Sequence, residues 1–291
     1  MILVTGATGV VGRAVVGELL AAGVPVRAVS RNPAAAGLPE AVEVVAADLG
    51  EPDSLPAALS GVDKVFALSA AEHKSVHDRN LAVAAARAGA AHLVQLSSLA
   101  AEENPGNLLG RWHLDGERAA AAAGIPVTVV RPGGFMTNAL SWARSIQDED
   151  VVRAPLGEVV SAPVDPRDIA AVVATALLGT GHEGRVYAVT GPEALTARDQ
   201  TRLLGEVLGR PLRFEEIPVA VAREQMLRRT PAVVVDAVLA ARQQATAVRA
   251  VPRPTVARVT GRRPRTFRQW AADHVEAFRP VDASTAALPP R

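Results

Sequence analysis

Met1-Ile-Leu-Val-Thr-Gly-Ala-Thr-Gly-Val-Val-Gly-Arg13 is the stretch that decides the fold of this chain. Met1 to Val4 is an apolar run of strand length, and Arg13 to Ala22 repeats apolar residues at helical spacing before stopping at Gly23. Between them Gly6, Gly9 and Gly12 are spaced Gly-x-x-Gly-x-x-Gly. A strand, a glycine turn and a helix in that order suit a dinucleotide. The first glycine permits the tight turn, the second lets the backbone approach a pyrophosphate, and the third lets helix pack on strand. The phosphates then face the helix N-terminus, where unpaired N–H groups and the helix dipole favour anions.

Working outward, the pattern predicts further strands at Val24–Ser30, Val42–Ala46, Lys64–Leu68, His92–Leu96 and Val127–Val130, most of them separated by helical patterns. Such alternation implies parallel βαβ units and an α/β, doubly wound Rossmann sheet. The second strand ends in Ser30-Arg31-Asn32-Pro33. Where an acidic residue would grip the ribose hydroxyls of NAD, Arg31 suits the 2′-phosphate of NADP. Asp48, after the third strand, suits the adenine amino group or the cap of the next turn. Beyond residue 150, Asp165-Pro166-Arg167-Asp168 is a helix start with Asp165 as N-cap. A seventh strand follows at Arg185–Thr190 and a helix from Thr196 to Gly209. Arg213–Pro218 reads as extended, helical stretches run to about Ala250, and a last helix covers Thr266–Phe278. The expected organisation is a cofactor-binding core at 1–150 and a small substrate lid from the remaining strand and helices at 151–280. The two are interleaved as one structural unit, with a disordered alanine- and proline-rich tail at 281–291.

Composition narrows the function. A formal charge of +1 over 291 residues offers no broad attraction to nucleic acid. No cysteine is present, so disulfides, thiolate catalysis and cysteine-ligated metals are excluded. No apolar run approaches the length of a bilayer span, and a strand beginning almost at the first residue leaves no room for a signal peptide. These features predict a cytoplasmic protein, monomer or homodimer, whose partner is a small-molecule substrate.

The arrangement suggests the short-chain dehydrogenase/reductase superfamily, whose usual active site is a tyrosine four residues before a lysine. That pair cannot exist here: the only tyrosine is Tyr187, and the only lysines are Lys64 and Lys74. On the helix between strands five and six stands Trp112-His113-Leu-Asp-Gly-Glu117, with His113 and Glu117 on one face. Glu117 is placed to accept from a ribose hydroxyl, or to orient His113 and favour its protonated form. The chain resembles the NmrA-like group of atypical short-chain dehydrogenases/reductases, near the bacterial quinone- and azo-reductase-like proteins. The matching stretches are Thr5–Gly12, Ser30–Pro33, Leu96–Ser98, Trp112-His113 with Glu117, Arg131–Asn138, Val164–Ile169, Thr190–Pro192 and Thr260–Phe267, spanning about residues 1 to 278.

The resemblance implies NADP(H) in preference to NAD(H), with Gly6, Thr8, Gly9, Val10, Val11 and Gly12 at the pyrophosphate, Arg31 at the 2′-phosphate, and Asp48 with Leu49 at the adenine. Leu68, Ser69 and Ala70 pass beside the nicotinamide ribose, and Pro132, Gly133, Gly134 and Phe135 meet the nicotinamide. Ser97, also placed among the cofactor contacts, and Ser98 fall where the superfamily places a hydroxyl against the substrate carbonyl, although a serine pair ending a strand is also ordinary turn chemistry. His113 is the candidate general acid or substrate donor. His73 and His77 lack a third ligand at motif spacing and read as rim residues, so no metal is expected. Phe135, Met136, Trp142 and Met226 suit either an apolar substrate pocket or lid core. Two functions fit: an NADPH-dependent reductase of a small conjugated acceptor (quinone, enone or azo compound), or a non-catalytic NADP(H) sensor acting on a protein partner. A conjugated acceptor suits a site without the tyrosine, because its reduced anion needs little acid assistance.

Overall fold

The computed structural model describes residues 1–244 and 251–280. In chain order the first half contains β1 (Ile2–Val4), α1 (Val10–Ala21), β2 (Val26–Ser30), β3 (Val42–Ala46), α2 (Leu55–Leu59), β4 (Lys64–Ala67), α3 (Lys74–Arg87), β5 (His92–Leu96), α4 (Ala100–Glu103), α5 (Leu108–Ala121) and β6 (Val127–Pro132). The second half contains α6 (Ala143–Glu149), β7 (Val151–Ala154), α7 (Pro166–Leu178), β8 (Val186–Val189), α8 (Ala197–Leu208), β9 (Arg213–Glu216), α9 (Val219–Leu227), α10 (Ala232–Gln243), α11 (Thr255–Thr260) and α12 (Phe267–Asp273).

Seven strands form one parallel sheet in the order β3-β2-β1-β4-β5-β6-β8. The order reverses between β1 and β4, and open α/β sheets hold ligands beyond the carboxyl ends of the strands at such a switch point. Central strands β1 and β5 are buried along their whole length, as parallel strands covered on both faces must be. One apolar cluster joins α1 and α7 to one face through Val15, Leu19, Ile169 and Val173. A second joins α2, α3 and α5 to the other face through Leu59, Leu81, Ala85 and Ala120.

Later elements depart from the reading of the sequence in detail. β7 was not legible: it is four residues long, follows Asp150 in the left-handed region, and pairs with β9 in a separate parallel ribbon. α7 and β8 return to the main layer, so residues after 150 contribute to the same sheet and core as those before it. A third apolar cluster, with Met136, Ile146, Leu204, Phe267, Trp270 and Phe278, gathers elements from the second half of the chain. Asp165 caps α7 by accepting from the Arg167 N–H, and Thr196 with Asp199 forms a capping box on α8. The last helix is shorter than predicted, α12 giving way to a 3-10 turn at Val275–Phe278. The helical reading at residues 245–250 and the disordered tail at 281–291 lie outside the described residues.

Candidate active site

The glycine turn is built as its spacing predicts. Gly6 has φ +62°, and a Cβ there would come within 2.5 Å of Leu68 Cδ2, so the turn after β1 lies against the loop after β4. A Cβ on Gly12 would meet the Gly6 carbonyl oxygen at 2.1 Å, which is the close helix-to-turn approach the third glycine permits. Thr5 Oγ1 accepts from the Leu68 N–H at 2.8 Å and donates to the Leu68 carbonyl at 2.9 Å, closing the two loops on each other. α1 starts after Gly9 with no side-chain cap, and Val10 in its first turn is 56% exposed. An uncapped helix start beneath an open glycine turn fits a pyrophosphate, which would satisfy the first-turn N–H groups of Val10, Val11 and Gly12. Thr8 supplies its carbonyl to Arg13 Nε at 3.0 Å, and Arg13 also reaches the carbonyls of Ala36 and Gly37, tying the loop after β2 to α1.

At the adenosine end, Arg31 is exposed and has no carboxylate paired with it among the described residues. Asp48 serves its own turn, Oδ1 accepting from the Gly50 N–H at 2.8 Å, so the capping role is met and one carboxylate oxygen stays free. Asn80 of α3 donates to the Leu49 carbonyl at 2.9 Å, fixing the loop beneath. His77 lies near Asp48 and Arg31; burial is the main cause holding its pKa below the ordinary value, with His73 adding to the shift. Its ring is 5.4 Å from that of His73, and no group of three metal-ligating side chains occurs among the described residues.

The nicotinamide end corrects two expectations. Glu117 does not orient His113. It is buried and takes both Arg131 Nε and Nη2, at 2.9 and 2.6 Å, and the Ser97 hydroxyl donates to it as well. Helix spacing put Glu117 near His113, but a bidentate arginine on the adjacent strand is the stronger partner. Ser97 thereby gives its one proton to Glu117 and keeps only acceptor capacity for a cofactor. Nor is His113 a protonated acid. Burial, and then the neighbouring Lys74 ammonium, push its pKa down to about 3, and its Nδ1 is buried without a partner among the described residues. A neutral imidazole can still donate one hydrogen bond. Ser98 Oγ accepts from the Ala100 N–H at 3.2 Å, the turn reading. Gly133 and Gly134 use their backbone groups to bind Val189 and Val164, with open space where a Gly134 Cβ would be. Met136 is buried and Trp142 packs against the third cluster, so both belong to the core of that region.

The two groups the superfamily would use lie elsewhere. Tyr187, early in β8, is bound to a His182 ring nitrogen at 2.8 Å, and Lys64, the first residue of β4, donates to the Leu177 carbonyl at 2.6 Å. Both stand at the amino ends of the strands. Sequence reasoning passed over Lys74. Its ammonium is buried on α3, 2.9 Å from Asp78 and 3.4 Å from Ser69 Oγ. The available signals were the Lys74–Asp78 spacing of one helical turn and the otherwise costly Gly116 in the middle of α5.

A parallel sheet with an uncapped glycine turn at its switch point, and no tyrosine or lysine in the superfamily's pairing, defines an atypical nicotinamide-binding Rossmann protein. The chain belongs to the NmrA-like family, whose model matches residues 1–252. It is 50% identical over 283 residues to a (4-alkanoyl-5-oxo-2,5-dihydrofuran-3-yl)methyl phosphate reductase of Streptomyces griseus subsp. griseus, covering 96% of this chain and 100% of that one. An NAD(P)H azoreductase of Xenophilus azovorans is 38% identical over 287 residues, covering 96% and 99%. The structure of an NADPH-dependent quinone oxidoreductase from Escherichia coli complexed with NADPH superimposes with a TM-score of 0.81 at 27% identity, covering 94% of this chain and 100% of that one. The chain is an NAD(P)H-dependent oxidoreductase that lacks the Tyr-x-x-x-Lys pair. Among the described residues no helix is long and apolar enough to cross a membrane.

Proposed function

We propose that the chain is an NADPH-dependent reductase of a small conjugated carbonyl acceptor, and that an acyl butenolide phosphate is its leading candidate substrate. The observation that carries this is the electrostatics of His113: with its pKa pushed down to about 3 and no tyrosine at the carboxyl ends of the strands, the site holds no acid that is protonated and ready to transfer at neutral pH. A reduced nicotinamide bound at the switch point supplies a hydride. The acceptor must take that hydride and the electron pair it displaces without a proton delivered in the same step. An alkene flanked by two carbonyls does so, because hydride at its far carbon leaves an anion shared by both oxygens, which water then protonates. A simple ketone would leave a basic alkoxide and needs a donor this site lacks.

The chain's own residues divide the remaining work. The first turn of α1 holds the pyrophosphate, and the exposed Arg31 pairs with the 2′-phosphate, giving NADP(H) preference. Neutral His113 donates one hydrogen bond to the acceptor carbonyl, and Ser98, if its hydroxyl turns outward, offers a second. The elements after residue 134 close over the acceptor as a lid during hydride transfer, and water protonates the anion once they open. The relative acting on a butenolide phosphate supports the substrate class, and the azo and quinone reductases support conjugated acceptors more broadly.

The test is loss of nicotinamide absorbance when purified protein meets NADPH and a panel: an acyl butenolide with and without its phosphate, quinones, azo dyes and a simple ketone. The expected result is oxidation by conjugated acceptors, fastest for the phosphorylated butenolide, and none by the ketone. Comparable turnover of the ketone would refute the reading.

A further inference from the structure

Next to His113, under the loop that follows β4, three buried polar side chains from two elements meet a half-buried serine of that loop. Lys74 and Asp78, one turn apart on α3, are each 1% exposed and form an ion pair at 2.9 Å. Gln95 of β5 donates its amide to Asp78 Oδ2, and Ser69 donates its hydroxyl proton to Asp78 Oδ1 at 2.6 Å. The fourth wall is α5, where a Cβ on Gly116 would come within 2.6 Å of Asp78 Oδ2 and 2.8 Å of Lys74 Cγ. A helix-interior glycine, destabilising in itself, is what makes room for the pair. Taking both charges out of water costs more than their attraction readily returns, so the pair is a poor device for stability alone.

Its effect is on Ser69. A serine hydroxyl has one proton, and here Asp78 takes it. The Lys74 ammonium, 3.4 Å from Ser69 Oγ, occupies one lone pair. The other stays open at the carboxyl end of β4, directly after Leu68, which abuts Gly6 across the switch point. We infer that Lys74 and Asp78 are positioning residues that fix Ser69 Oγ as a hydrogen-bond acceptor for the nicotinamide half of the cofactor, whose ribose hydroxyls and carboxamide are donors. The inference rests on the cofactor reading above. It gives the chain's second lysine the ribose-side duty left vacant by the missing tyrosine–lysine pair, performed from α3 and through a serine.

Affinity for NADPH and for adenosine 2′,5′-bisphosphate, which lacks the nicotinamide half, separates this from a structural role. Calorimetric titrations would compare wild type, Ser69→Ala, the neutral swap Lys74→Met with Asp78→Asn, and all three changes together, with thermal midpoints alongside. The neutral swap removes both charges at once and so leaves no uncompensated ion in the core. Ser69→Ala and the neutral swap should each weaken NADPH binding by about tenfold, the worth of one hydrogen bond, and leave the bisphosphate unchanged. The triple variant should lose no more than Ser69→Ala alone. Unchanged NADPH affinity, parallel loss for both ligands, or additive losses would each overturn the positioning role. Wild-type protein that binds the bisphosphate but gains nothing from the nicotinamide half would do the same. Binding of neither ligand would sink the cofactor reading itself, and the inference with it.

Discussion

Arg31 and Glu117 show what single residues reveal and conceal. Arg31 is proposed from the sequence alone, because the end of the second strand of such a fold faces the adenosine ribose and a cation there suits a 2′-phosphate. Arg31→Ala should weaken NADPH by about ten- to a hundredfold, as loss of a charge-assisted contact does, with NADH affinity nearly unchanged. Titration of both cofactors checks it, and equal losses would remove Arg31 from the 2′-phosphate. Glu117 misled for a physical reason. Helical spacing shows which residues share a face, but not that Arg131, on the neighbouring strand, takes the carboxylate through two hydrogen bonds. That pairing also raises the Arg131 pKa above its ordinary value. Glu117→Ala leaves a largely buried guanidinium with only the more distant Glu102 carboxylate, 3.8 Å away, and should cost about 2 kcal/mol or more of stability by urea unfolding. A variant of wild-type stability that had lost only turnover would return Glu117 to the chemistry.

At the scale of elements, strands and helices were legible where period and punctuation agree. β3 and β5 fall where their apolar runs place them, and α7 and α8 start at the caps their sequences advertise. β7 escaped because four residues cannot establish a period, and its partner β9 arrives only after two more helices and a strand. Helix packing was beyond reach for the same reason that Gly116 was: a glycine inside a helix marks a close approach without saying to what. Gly116→Ala sets two effects against each other. Alanine favours the helix by about 1 kcal/mol, while forcing its methyl into the Lys74–Asp78 pair costs about 1–3 kcal/mol. Overpacking should win, because the obstructing atoms belong to a buried ion pair and not to the free end of a side chain. The expected outcome is a lower thermal midpoint; a higher one would show that α3 and α5 can part without loss.

Across the whole molecule, buried neutral histidines set how stability responds to acid. His113 is pushed to about 3, and His92, whose Nε2 meets Thr128 Oγ1 at 2.8 Å, is also lowered, chiefly by burial. An unfolded chain takes protons on these rings near pH 6.5, whereas in the folded chain both are held below that value, His113 down to about 3. The unfolded state therefore binds more protons as pH falls through that value, and stability declines by at most about 1.4 kcal/mol per pH unit for each ring. Asp168 opposes this, since burial raises its pKa against the pull of Arg265, and the ordinary carboxylate range lies below that of histidine. Between pH 6.5 and that range the histidines decide the slope. Urea midpoints measured from about pH 7.5 to about pH 5 should fall steadily for wild type and less steeply for His113→Gln. Turnover by folded protein should stay level over the same window, because His113 does not change charge there. A wild-type slope retained in His113→Gln would mean that the ring is hydrated and protonatable. The site would then hold the acid that conjugated acceptors were inferred to do without, and simple ketones would return as substrates.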